Sequence, residues 1–176
     1  MNMGRTVVLY ASRYGTTERY AKEIAQRLGC KAVNVKQWKQ QRFSDYDTVI
    51  FGGSLYASAI RGVKALTKHE ALLDGKRLIV FTVGMAAPDS PTLEQVRAQN
   101  FSPDMQRRIA FFHLRGAMDY ARLSPLHRLM MAGMHAAVGR MKEPTEELRL
   151  IQETYGKRMD WTDRAAVEPI VAAAKA

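Results

Sequence analysis

The residues best suited to chemistry are Ser12, Arg13, Tyr14, Gly15, Thr16 and Thr17, an unbroken run of hydroxyls, one cation and one glycine. They stand between the apolar run TVVLYA (6–11) and a segment whose apolar positions Tyr20, Ala21, Ile24, Ala25 and Leu28 recur at helical spacing. A turn in that place gathers the first amides of a helix, which have no intrahelical acceptor, and the helix dipole favours an anion beside them. Ser12, Thr16 and Thr17 add hydroxyl donors, and Gly15 lets the backbone curl closely around an oxyanion. Taken singly, such residues cap helices and turn chains. Together, directly after the first strand, they predict a phosphate-binding turn. Neither G-x-x-x-x-G-K-[ST] nor G-x-G-x-x-G occurs, so a monophosphate suits the turn better than a triphosphate or a dinucleotide.

Two more segments follow the carboxyl ends of apolar runs: Gly53-Ser54-Leu55-Tyr56-Ala57-Ser58 and Gly84-Met85-Ala86-Ala87. In an open α/β sheet that edge binds ligands, near the point where strand order reverses. Tyr56 offers an aromatic face for stacking, or is simply a half-buried loop aromatic. The span 120–142 contains Arg122, Arg128, Arg140, Lys142, His127 and His135 and no Asp or Glu. Its apolar positions Leu126, Leu129, Met130, Met134, Ala137, Val138 and Met141 share helical spacing. A helix of that kind can lie in a membrane interface or cover a hydrophobic partner, and it can equally pack on the domain's own core.

The elements that must position these residues alternate along the chain. Strands are expected at 6–11, 31–35, 48–52, 78–83 and 109–114, with helices after Thr17, at 62–73, and at 92–101. Five strands separated by helices imply a parallel sheet with right-handed crossovers and helices on both faces. Beyond it, Ser124-Pro125 starts a helix reaching about residue 141, a further helix covers 145–155, and a last one covers 162–174, with Pro169 kinking it or delaying its start. The whole reads as one α/β domain, 1–176, with a helical insertion at about 120–157.

Composition narrows the classes. The chain has 176 residues, 47% hydrophobic and 25% charged, enough for a buried core. Cys30 is the only cysteine, which excludes an internal disulfide or a Cys-x-x-Cys pair and suits a reducing, cytoplasmic compartment. No zinc-ligand spacing, HExxH or hydrolase elbow is visible, so no metal is assigned and no catalytic side chain is named. A net charge of +10 attracts anionic partners such as lipid headgroups, nucleic acid or carboxylated substrates. No RNA-binding signature accompanies it, so nucleic acid ranks last.

The turn Ser12 to Thr17 resembles the phosphate loop of the flavodoxin family, Ser/Thr-x-Thr/Tyr-Gly-x-Thr, which grips the phosphate of flavin mononucleotide (FMN) without a lysine. That resemblance implies a flavodoxin-like sheet of order 2-1-3-4-5 with FMN bound by Ser12, Arg13, Tyr14, Gly15, Thr16 and Thr17. It also implies an isoalloxazine ring held between Ser54, Leu55, Tyr56 and Ala57 on one side and Gly84, Met85 and Ala86 on the other. From Arg115 onward, Arg-Gly-Ala-Met-Asp-Tyr, the Leu-Met-Met helix and Asp160-Trp161 resemble menaquinone-dependent protoporphyrinogen oxidases. This second likeness implies an oxidoreductase in which electrons from a porphyrinogen reach a membrane quinone through FMN. Arg61, Arg115, Arg122 or Arg128 would then hold substrate carboxylates, and 120–142 would touch the inner face of the cell membrane. Two other readings stand beside it. One is an electron-carrying flavodoxin that serves a protein redox partner, against which a charge of +10 argues because typical flavodoxins are acidic. The other is a flavin-free module that binds polyanions.

Overall fold

The computed structural model describes residues 5–56 and 58–176. Strands β1 (Thr6–Ala11), β2 (Lys31–Asn34), β3 (Thr48–Tyr56), β5 (Arg77–Gly84) and β6 (Ile109–Arg115) form a parallel sheet in the order β2-β1-β3-β5-β6. A sixth, short strand, β4 (Ala59–Ile60), pairs antiparallel with β3. The five parallel strands stand in the expected order, and β4 is an addition to them.

The sheet is buried on both faces, which is why its central strands read as continuous apolar runs. Side chains alternate across a strand, and β1 shows the consequence. Val7 and Leu9 join one core with Val49, Phe51, Leu78 and Val80, while Val8 and Tyr10 join the other with Ile50, Ile79 and Phe81. The second core is roofed by helix α1 (Thr16–Leu28), through Tyr20, Ala21, Ile24 and Ala25, and by helix α7 (Glu168–Lys175), through Ile170 and Val171. The first is covered by Trp38, Phe43, Leu66, Leu73 and Phe101, by Val96 of α3 (Thr92–Asn100), and by Met105 of α4 (Pro103–Arg108). Helix α1 ends as its sequence requires: Gly29 adopts φ 64°, and the amides of Gly29 and Cys30 return to the carbonyls of Gln26 and Ala25.

Several expected boundaries change. The helix expected at 62–73 is broken into α2 (Lys64–Thr67) and a 3-10 turn, Glu70–Leu73, because His69 leaves the helical region at φ −128°. Helix α4 was not anticipated, although Ser102-Pro103 opens it as Ser124-Pro125 opens α5 (Pro125–Val138): the Ser102 hydroxyl accepts the Met105 amide at 3.2 Å. Pro169 delays the last helix, which begins at Glu168 after a 3-10 turn, Ala165–Val167.

The chain forms two compact units, one running to Arg115 and resuming at Thr162–Ala176, the other Gly116–Trp161. Within the second, β7 (Ala117–Asp119) pairs antiparallel with β8 (Arg158–Asp160), and α5 (Pro125–Val138) packs on α6 (Glu146–Thr154). Tyr155 meets His135 in a stacked contact, ring centroids 4.2 Å apart, and Tyr120 edge-on. Within the first unit, the Tyr20 hydroxyl donates to the Arg115 carbonyl at 2.8 Å and accepts the Asp163 amide at 3.0 Å. One buried phenol thus fixes the points where the chain leaves this unit and returns to it.

Candidate functional site

Register brings three of the singled-out segments to one edge. Ala11, the last residue of β1, pairs with Gly53, and Gly53 pairs with Thr82 of β5. The turn 12–15, the end of β3 and the segment after Gly84 therefore emerge side by side at the carboxyl edge, with β1 and β3 flanking the reversal of strand order.

The turn has the geometry of an anion cradle. Gly15 takes φ 93°, its amide donates to the Ser12 hydroxyl at 3.1 Å, and α1 follows without a side-chain cap. The first helical bond runs from the Arg19 amide to the Gly15 carbonyl, so the amides of Thr16, Thr17 and Glu18 precede the ladder. A Cβ placed on Gly15 would have no heavy atom within 4 Å. Glu18 is the one acid in the first turn, and its charge is met by Lys22 at 2.6 Å, whose hydrogen bond holds the carboxyl below its ordinary range. The Arg13 guanidinium stands 5.7 Å from the centre of the Tyr14 ring, and both side chains are exposed.

The second segment needs a correction. Ser54, Leu55 and Tyr56 are not loop residues but the end of β3, because Leu55 pairs with Ile60 and Tyr56 with Ala59 of β4. Ala57 lies outside the described residues. Gly53 permits this hairpin: a Cβ there would come within 2.7 Å of the Arg61 carbonyl and 2.5 Å of Ile60. Tyr56 is 41% exposed and Tyr14 43%, so both aromatics reach the surface at this edge. Gly84 closes β5, and Met85 and Ala86 follow, half-buried. A Cβ on Gly84 would stand 3.3 Å from Leu55 and 3.2 Å from the ring of His113. His113 itself is buried, its Nδ1 2.7 Å from the Thr82 hydroxyl. Its place beneath this edge had no sequence signal, since it depends on the pairing of β5 with β6.

The four arginines separate. Arg61 is exposed just after β4, its amide bonded to the Ser54 carbonyl, and half-buried Arg115 ends β6 opposite Gly84. Both lie at the carboxyl edge. Arg122 and Arg128 belong to the Gly116–Trp161 unit. Arg122 is exposed, whereas the Arg128 guanidinium donates to the carbonyls of Tyr120 and Ala121 at 3.2 and 2.5 Å.

A family model described as a flavodoxin domain matches residues 7–147, most of the chain. The chain belongs to the flavodoxin-domain family. FMN is accordingly its cofactor, and the uncapped turn at Gly15, with three leading amides outside the helical ladder, has the chemistry to take a phosphate. No curated protein matches it in sequence. Among solved structures it is similar to a flavodoxin from the domain Archaea, with 12% identity, 85% of this chain and 92% of that one covered, and a TM-score of 0.43. It is similar to oxidised Flavodoxin 1 from Bacillus cereus, with 14% identity, the same 85% and 92% coverage, and a TM-score of 0.44. It is also similar to the rubredoxin oxygen:oxidoreductase of Desulfovibrio gigas, with 14% identity, 97% of this chain and 36% of that one covered, and a TM-score of 0.48.

Proposed function

We propose that this flavodoxin-domain protein is an FMN-dependent oxidoreductase that oxidises a carboxylated porphyrinogen and reduces a quinone at an anionic membrane surface. FMN supplies the redox chemistry when bound; the chain holds it and tunes it through the groups around it. The turn 12–17 takes the phosphate through its leading amides and hydroxyls. Tyr56 would flank one side of the ring and Met85 and Ala86 the other, while Leu55, on the opposite face of β3, packs on the core. Arg61 and Arg115 face substrate carboxylates through charge-assisted hydrogen bonds. Arg128 has a different part: bonded to the two carbonyls, it holds the start of α5.

The observation that carries the membrane side of this reading is the exposure of α5. Leu126 is 64% exposed and Leu129 71%, and Met130, Met134 and, just beyond the helix, Met141 are exposed as well, so of this oily face only Val138 is spent on a core. Arg122, Arg140 and Lys142 border it, with no acid between 120 and 142. Among the described residues no helix is long and apolar enough to cross a membrane, so contact would be interfacial. The test is anaerobic: FMN-loaded protein, protoporphyrinogen, a menaquinone analogue, and vesicles with and without anionic lipid. Porphyrin fluorescence that requires the quinone supports the reading; its absence with flavin fully bound rejects it in favour of an electron carrier between proteins.

A further inference from the structure

We propose that Asn100 is the positioning residue of the flavin-ring site. The proposal deepens the assignment of FMN to the carboxyl edge and rests on it. Asn100 is the last residue of α3, the helix that follows the Gly84–Ala86 segment, and it is separated in sequence by some forty residues from the hairpin β3–β4. Its carboxamide nevertheless joins the two. Nδ2 donates to the Ser58 carbonyl at 2.7 Å and to the Val96 carbonyl of its own helix at 2.8 Å, and Oδ1 accepts the Ile60 amide at 3.0 Å. Two carbonyls and one N–H leave a single orientation of the amide that satisfies all three bonds.

The bonds fall where the backbone needs support. Ser58 holds φ 66°, the one non-glycine residue with positive φ among those described, and a left-handed serine persists only where its surroundings over-determine it. Asn100 grips the chain on the Ser58 carbonyl and again two residues later at Ile60. The paired residues between these anchors and Gly53 are Leu55 and Tyr56, the end of β3 from which Tyr56 would meet the ring. Through Val96 the same carboxamide ties the hairpin to the end of α3, the helix that follows the segment bearing Met85 and Ala86. Its removal leaves the phosphate turn untouched, and that makes the effect separable.

The experiment uses the full chain loaded with FMN. Asn100→Ala is expected to weaken FMN binding by about tenfold, to alter the visible circular dichroism of the bound flavin, and to shift its midpoint potential. Competition by inorganic phosphate for FMN should be unchanged. Adding Ser58→Gly, which accepts positive φ without a clamp, should recover part of the lost affinity. Asn100→Asp keeps the volume and the acceptor for Ile60 but loses both donors; it should share the phenotype, and it decides the question if the alanine variant does not fold. A folded variant with unaltered FMN affinity, dichroism and potential overturns the proposal. Failure of the underlying site shows separately, as a wild-type protein that takes up no FMN, and removes the proposal with it.

Discussion

Gly15→Ala isolates the cost of the phosphate turn, because the added methyl meets nothing within 4 Å and the penalty comes from backbone conformation alone. At φ 93° and ψ −16° Gly15 stands well beyond the centre of the left-handed region, near φ +57°, ψ +47°, where an L-residue already loses roughly 1–2 kcal/mol. Gly29 provides the control. It caps the other end of the same helix at φ 64° and ψ 31°, close to that centre, and a methyl there also has open space. Gly29→Ala should therefore cost about 1 kcal/mol and Gly15→Ala about 2 kcal/mol. In a chain of this length these losses lower Tm by about 2–4 and 4–8 °C. At Gly15 whatever part of the penalty the flavin-free turn relieves by relaxing is missing from the Tm shift and has to be restored on binding, so the two losses together make up about 2 kcal/mol and FMN affinity should fall by up to about 30-fold there, while it stays unchanged for Gly29→Ala. Thermal denaturation without flavin and fluorescence titration with FMN measure the two quantities. Equal FMN affinities for wild type and both variants would refute the assignment of the phosphate to this turn.

Other outcomes follow from the same geometry. Gly53→Ala should destabilise the fold by roughly 1–3 kcal/mol and change the flavin's visible dichroism, since the methyl collides with the Arg61 carbonyl and pries β4 from β3; urea unfolding and dichroism of the loaded protein check it. Burial pushes the Cys30 thiol up to about 11, so Ellman's reagent at pH 8 should react slowly with native protein and rapidly in denaturant. The same shift makes stability fall as pH climbs from the ordinary value of 9 through 11, because only the unfolded chain then releases the proton. Glu23 is held below its ordinary 4.5 by hydrogen bonds from Arg27 and then Arg164, the second of which ties α1 to the chain's last segment. Its stabilisation is present above 4.5 and lost as pH drops through the lower folded value, so Glu23→Gln should be less stable than wild type at pH 7, with the difference shrinking as pH falls below 4.5.

Much of this architecture was legible in the sequence because its determinants are local. TVVLYA is apolar throughout since both faces of β1 are covered, and the polar turn that follows sits between strand and helix however the rest folds. Gly29 and Pro169 mark helix ends by backbone restriction alone. What could not be read depends on pairing between distant segments. Gly53 to Ser58 has the composition of a loop, yet partnership with Ala59 and Ile60 draws Ser54 to Tyr56 into β3. The same holds for Asn100, whose partners are remote in sequence, and for His113, whose neighbours are set by sheet register. Helix α4 is the exception, because Ser102-Pro103 carried a local signal equal to that of Ser124-Pro125.

We propose that the turn Ser12 to Thr17 grips a flavin through its phosphate. Parallel titrations of the purified chain with FMN and with riboflavin, which differ only in that group, test it most directly. One FMN per chain, bound at least about tenfold more tightly than riboflavin, is the expected result, since hydrogen bonds to a charged acceptor contribute roughly 1.5–3 kcal/mol. Equal affinities, or a protein that binds neither, would contradict it.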